Sequence, residues 1–137
     1  RLPLEVAAVV RDAWPVQLPV WYRLSAADEV EGGPKLEIEL AGRHKSIGVD
    51  LIDYSWGGIG GSPSLATTRP CPDFQVRYAA VVRAEAEIAT LAVGFITELA
   101  LVQTIPAWGK GDMCAIAREH LADPAWAAAP HWRSVRR

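Results

Sequence analysis

Leu91-Ala92-Val93-Gly94-Phe95-Ile96-Thr97 and, about twenty residues later, Asp112-Met113-Cys114-Ala115-Ile116-Ala117-Arg118-Glu119 decide how this chain folds. Each holds a short apolar run without alternation, the pattern of a strand buried on both faces, and each run stops abruptly at small or polar residues. Strands of that kind belong to parallel α/β folds, which carry their chemistry at the carboxyl ends of the strands. In eight-stranded α/β barrels the turns after the last two strands often hold a phosphate. Gly94 and Arg118 are therefore the first residues to watch.

Working outward, Leu2, Val6, Val9, Val10 and Ala13 recur at helical spacing from the start of the chain, and Trp14-Pro15 breaks that helix. The chain opens on Arg1, inside an element, as expected of a fragment or a processed product. Residues 18–24 read as a strand, and Leu36, Leu40 and Ile47 mark a second helix with Gly48 at its C-cap. Residues 49–54 form a second strand, followed by the glycine-rich loop Ser55-Trp56-Gly57-Gly58-Ile59-Gly60-Gly61-Ser62-Pro63, which continues through Arg69-Pro70-Cys71-Pro72. A connection that long is expected to be functional or mobile.

Asp73 caps a helix whose inner face is Phe74, Tyr78, Val81 and Val82, and a third strand begins near Thr90. Thr97 caps a short helix lined by Leu99, Val102 and Ile105 and closed by Pro106 and Gly109. A fourth strand runs from about Asp112 to Ala117. Asp123-Pro124 then starts a last helix, with Trp126 and Trp132 for packing. Helices that alternate with strands demand right-handed parallel crossovers. Four such units are half of a (β/α)8 barrel and also the minimum of an open doubly wound sheet, and length alone does not choose between them. Against the second stands the lack of a Gly-x-Gly-x-x-Gly turn after the first strand.

The chain has 137 residues, half of them apolar, enough for the core of one domain spanning residues 1–137. A net charge of -2 offers no footprint for nucleic acid, and no basic stripe interleaves with aromatics. No apolar run approaches the length of a membrane span, and no leader pattern stands at the start, so a cytoplasmic protein is expected. Cys71 and Cys114 lack metal-ligand spacing and are expected to be reduced thiols.

Several of these segments together resemble a known family. Tyr22-Arg23-Leu24-Ser25-Ala26, Gly48-Val49-Asp50-Leu51-Ile52-Asp53-Tyr54-Ser55 with Gly57-Gly58, Phe74-Gln75-Val76, Ala92-Val93-Gly94-Phe95-Ile96-Thr97 and Ala117-Arg118-Glu119 with Asp123-Pro124 resemble the old yellow enzyme family. More narrowly they resemble its bacterial YqjM-like branch of FMN-dependent NAD(P)H oxidoreductases. The match covers nearly the whole chain and implies the C-terminal half of a (β/α)8 TIM-type barrel, with four parallel strands.

The resemblance implies FMN as cofactor, NAD(P)H as reductant and a small-molecule substrate, while the unpaired first and last strands of four βα units, near Leu18 and Asp112, lead to the expectation of a homo-oligomer. It gives Arg23 to the pyrimidine edge of the flavin, where a fixed positive charge stabilises the negative charge of the reduced ring. It gives Gly94 and Arg118 to the phosphate, and places Ala117 where the family usually has glycine. Trp56 replaces a small residue of the usual turn, and Cys71-Pro72-Asp73 departs from the usual approach to the Phe-Gln-Val helix. The substrate-gripping histidine pair and the tyrosine proton donor of the family lie upstream of residue 1, which leaves no catalytic residue on this chain.

Plainer readings stand beside these. Arg23 and Arg118 also read as strand-end arginines in solvent, Gly94 as a strand terminator, and Trp56 as a loop anchor. Asp50 and Asp53, three apart in a strand, face opposite sides and do not form an acid–base pair. His44 and Lys45 are expected on a solvated helix face, and His120 and His131 lack metal-ligand company. The glycine-rich loop lacks the Gly-Lys-Ser/Thr ending of a phosphate-binding loop and reads as a lid. A non-catalytic half-barrel that binds FMN weakly, or serves as an oligomerisation unit, is the rival from another class. An aldolase is disfavoured because no lysine ends an expected strand.

Overall fold

Ile52 and Tyr54 are fully buried, because both lie on the face of their strand that packs in one core with Ala7, Ala41 and Val82. The computed structural model describes residues 1–25, 38–55 and 74–128. Its sheet consists of β1 (Trp21–Ser25), β2 (Leu51–Ser55), β3 (Ala89–Ala92) and β4 (Met113–Cys114), all parallel. The helices are α1 (Leu2–Ala13), α2 (Ile38–Ile47), α3 (Val76–Glu85), α4 (Leu99–Ala107) and α5 (Arg118–Ala122), with a 3-10 turn at Trp126–Ala128. The spatial order is β1-β2-β3-β4, the order of the sequence. A doubly wound sheet reverses direction at a switch point. This one does not, so every right-handed crossover puts its helix on the same face, as in half of a (β/α)8 barrel.

The strands are shorter than the apolar runs. β1 starts at Trp21 because Leu18 is still held in a turn, its N–H donating to the Pro15 carbonyl (3.0 Å). β4 keeps two residues of the expected six or so. Beyond it one ladder bond remains, from the Ala115 N–H to the Ala92 carbonyl (2.9 Å), before the chain turns into α5.

Helix faces differ more. In α1 the buried residues are Leu4 and Ala7, whereas Leu2, Val6, Val9 and Val10 of the expected inner stripe are exposed. Both sets satisfy the helical period, and α1 packs on α2 through the side that carries the small Ala7. In α3 the buried set is Val76, Ala79 and Val82, so of the expected inner face Val82 is buried while Phe74, Tyr78 and Val81 are only half-buried. The N-cap of α4 is Glu98 rather than Thr97. Gly48 (φ 101°) does close α2, its N–H donating to the Lys45 carbonyl (3.0 Å), and Gly109 (φ 66°) closes α4.

Asp123 ends α5, and where Asp123-Pro124 is expected to start a last helix the described residues form a 3-10 turn, with Asp123 Oδ1 accepting the Ala125 N–H (2.9 Å). His44 is fully buried rather than solvated. Its Nδ1–H donates to the Leu40 carbonyl (2.8 Å), and its ring meets that of Tyr22 with centroids 4.3 Å apart. The expectations for Leu36, residues 56–63, Arg69, Cys71, Asp73, His131 and Trp132 fall outside the described residues.

Two equivalent clamps lock the amino-terminal ends of the strands. Asp50 precedes β2 in register with Val20; its Oδ2 accepts the Val20 N–H (2.8 Å) while its own N–H donates to the Val20 carbonyl (2.9 Å). Asp112 precedes β4 and does the same to Thr90, at 2.9 Å in both directions. Each acid also meets an arginine of the helix that leads into the partner strand. Arg11 of α1 lies 3.6 Å from Asp50, and Arg83 of α3 donates to both oxygens of Asp112 at 3.0 Å.

Candidate functional site at the carboxyl ends of the strands

At the opposite ends of the strands the chain encloses a cleft of about 330 Å³, at the small end of the range for ligand sites. Arg23, Gly94, Ala117 and Arg118, the four residues singled out in the sequence, all line it. Arg23 stands in the middle of β1, Gly94 just after β3, and Ala117 and Arg118 after β4 at the start of α5, and the parallel sheet brings them to one rim. Phe74, Gln75, Phe95 and Ile116 complete much of the wall, and Glu119 adds one carboxylate.

Gly94 has φ 115°, a conformation costly for any residue with a Cβ. A Cβ there would lie 2.8 Å from the Gln75 Cβ. Its glycine is thus demanded by the approach of the loop ahead of α3 as well as by its own backbone. The next residue, Phe95, also has positive φ (55°), which is uncommon outside glycine. Its ring lies under Arg118, with the guanidinium carbon 4.8 Å from the ring centroid. Among the described residues Arg118 forms no ion pair, and α5 begins at that residue. Ala117, just ahead of α5, has φ -117°, which an alanine adopts freely.

Arg23 is held differently. Its Nη1 lies 3.4 Å from Asp53 Oδ2, and its Nε–H donates to Ser55 Oγ (3.2 Å). Burial raises the Asp53 carboxyl from its ordinary value, and the Arg23 charge pulls it partly back. Asp53 Oδ1 is buried without a hydrogen-bond partner among the described residues. Asp50, by contrast, sits at the far end of the strand in its clamp, so the two acids share no site. Cys114 is a free thiol beside the Val102 carbonyl (3.8 Å), and burial raises its pKa.

A dianionic phosphate beside a flavin-like ring needs a cation left without a carboxylate, a second cation some distance away, and apolar walls between them. The cleft offers Arg118, Arg23 and the Phe74, Val93, Ile96 and Ile116 side chains in those roles, with Glu119 the one charge of the wrong sign. The residues fit the group. Among the described residues no cluster of metal-ligating side chains occurs, and no helix is long and apolar enough to cross a membrane. Phe95 is a cleft residue the sequence did not single out, and Asp53, weighed there only as a partner of Asp50, pairs instead with Arg23. The signal for Asp53 is a carboxylate inside an apolar run, whereas nothing in the sequence marks an aromatic residue with positive φ.

No protein-family model matches the chain. Among curated proteins it is 38% identical to an NADPH dehydrogenase of Geobacillus sp. (strain WCH70), over 89% of this chain and 35% of that protein. Over 92% of its length it is 38% identical to an NADPH dehydrogenase of Halalkalibacterium halodurans, covering 36% of it. An NADPH dehydrogenase of Bacillus subtilis is 35% identical over 93% of the chain and 36% of its own length. The chain therefore spans about a third of the length of these relatives. A solved structure of 2-naphthoyl-CoA reductase with 2-naphthoyl-CoA superposes with a TM-score of 0.81 at 22% identity, over 96% of this chain and 20% of that one. That likeness is one of fold.

Proposed function

We propose, on the premise that this chain belongs to the old yellow enzyme family among the relatives of bacterial NADPH dehydrogenases, that it supplies the FMN site of an NAD(P)H oxidoreductase of the ene-reductase type. One observation carries the reading: the four residues with matching positions in the family line one cleft at the carboxyl rim of the sheet. FMN, when bound, would carry hydride from NAD(P)H to an activated alkene or similar small acceptor. Arg118 would grip the phosphate with its guanidinium fork, a geometry that matches a dianion with two charge-assisted hydrogen bonds. Gly94 would leave room for the phosphate turn. Arg23 would hold positive charge at the pyrimidine edge, where it stabilises the reduced ring, and Ala117 would narrow the approach. No group on this chain is given a proton-transfer role.

A homo-oligomer accompanies this reading. β1 and β4 are the outer strands of the sheet, with no neighbour among the described residues on their far sides, and unpaired parallel edges invite association. Light scattering on the 137-residue chain is expected to give a dimer or larger species. The same chain with FMN and NAD(P)H is expected to show no alkene reduction. The cofactor reading itself is tested by flavin-fluorescence titration: FMN is expected to be quenched on binding, and a chain that leaves FMN fluorescence unchanged at every concentration rules it out.

A further inference from the structure

Phe95 combines two features that local structure alone does not explain. It holds a positive φ of 55°, although it is neither glycine nor asparagine. It also presents its ring face to a guanidinium 4.8 Å away, in the same cleft. A bulky residue in the left-handed region persists only when the surroundings over-determine it, and such strain gathers at ligand sites. The turn already has a glycine one position earlier, with φ 115°, so chain reversal does not require the strain at Phe95. What the conformation achieves is the placement of the ring beneath Arg118. An arginine that begins a five-residue helix and pairs with no carboxylate among the described residues has few other means of being held in one orientation.

We propose that Phe95 is the positioning residue for Arg118: its ring is a platform that holds the guanidinium plane over the cleft and so sets how strongly the site prefers a phosphorylated flavin to an unphosphorylated one. The inference rests on the phosphate reading of Arg118 given above. Arg118 makes the contact with phosphate, and Phe95 acts through it.

The test compares FMN with riboflavin, which lacks the phosphate, by fluorescence titration of the 137-residue chain and three variants. The unaltered chain is expected to bind FMN more tightly than riboflavin. Phe95→Leu keeps an apolar side chain but no ring face, and is expected to lose about twofold to fivefold in FMN affinity, the range of an exposed cation–π contact, with riboflavin affinity unchanged. Phe95→Tyr keeps the platform and is expected to restore the preference. Phe95→Gly relieves the backbone strain, so its thermal midpoint is expected to hold or rise while the preference for FMN falls. A merely structural phenylalanine would move both quantities together. If the unaltered chain binds the two flavins equally, the phosphate reading of Arg118 fails and this inference with it. If it prefers FMN and Phe95→Leu does so equally well, the inference alone is overturned.

Discussion

The two rims of the sheet handle charge in opposite ways. At the amino-terminal rim each acid is matched: Asp50 and Asp112 return the hydrogen bonds of the residues beside them, and Arg11 and Arg83 cover them. At the carboxyl rim Arg118 leans on an aromatic ring instead of a carboxylate, and Asp53 leaves one oxygen without a partner among the described residues. Parallel α/β folds concentrate stability at the first rim and chemistry at the second. The difference teaches where substitutions should unfold the chain and where they should only empty the cleft.

The sharpest way to break that division is Asp112→Ala. It removes the acceptor of the Arg83 Nε–H, which is shared between both carboxylate oxygens, and leaves the buried Thr90 N–H without its side-chain acceptor. A loss of about 2 to 4 kcal/mol is expected in chemical denaturation, with FMN affinity per folded molecule unchanged. Asp50→Ala should cost less, because Arg11 keeps its bonds to the carbonyls of Trp14, Pro15 and Leu18. Equal losses at the two positions would mean that the arginine contact contributes nothing to the clamp.

Arg118→Ala should give the reverse pattern. FMN affinity is expected to fall by roughly 1.5 to 3 kcal/mol, while the denaturation midpoint shifts by under about 1 kcal/mol, the worth of an exposed cation–π contact. Unchanged affinity in the fluorescence titration would remove Arg118 from the site.

Much of this contrast is legible in the sequence. The abrupt ends of two apolar runs point to Gly94 and Arg118, although neither strand is buried on both faces as expected: β3 alternates between buried and half-buried residues, and Met113 of β4 is exposed. Strand order is not legible, because four βα units fit an open sheet as well as a half-barrel until pairing is seen. Nor is the packed face of α1: Leu2, Val6, Val9 and Val10 form as good a helical stripe as Leu4 and Ala7, and small size at Ala7 rather than hydrophobicity decides which side packs. His44 reads as solvated in its own helix because its burial depends on Tyr22, a residue of another element. The clamps leave a faint trace, an aspartate directly before each of two apolar runs and shortly after a helix-ending glycine. Its meaning emerges only when register sets Asp50 beside Val20 and Asp112 beside Thr90.

Arg23→Ala sharpens the comparison within the carboxyl rim, because Arg23 is paired where Arg118 is not. With FMN bound, the expected result is a lower flavin midpoint potential, by tens of millivolts, and slower reduction by NAD(P)H, as removal of a nearby positive charge destabilises the reduced ring. Redox titration reads it directly. A potential equal to that of the unaltered chain would mean that the arginine serves only Asp53 and Ser55.

The smallest effect is expected at Asp53→Asn. The folded-state pKa of Asp53 is raised, burial outweighing Arg23, so the folded chain holds this proton more tightly than the unfolded one. Stability from that proton is present at low pH and is lost as pH rises from the ordinary aspartate value, about 3.9, through the raised folded value. The asparagine variant should therefore melt slightly higher than the unaltered chain at pH 7, and the gap should close as pH falls below that window. A gap that is constant with pH would show that Asp53 is not the group that titrates.

The clamps also bear on how the chain finds its fold. A sheet of parallel neighbours in sequence order contains no hairpin, so each ladder must close a long loop before it gains anything. Asp50 and Val20 are 30 residues apart, and Asp112 and Thr90 are 22 apart. Loop entropy separates the two closures by only about 0.3 kcal/mol. The difference favours the shorter closure, and the Arg83 Nε–H that reaches both oxygens of Asp112 adds to it, so β3 and β4 with α3 form the pair expected to associate first, and β1 with α1 the pair expected to join late. Topology of this kind makes folding slow, and in a chain that folds slowly the order of closure decides which apolar edges stay open to a neighbouring molecule, and for how long.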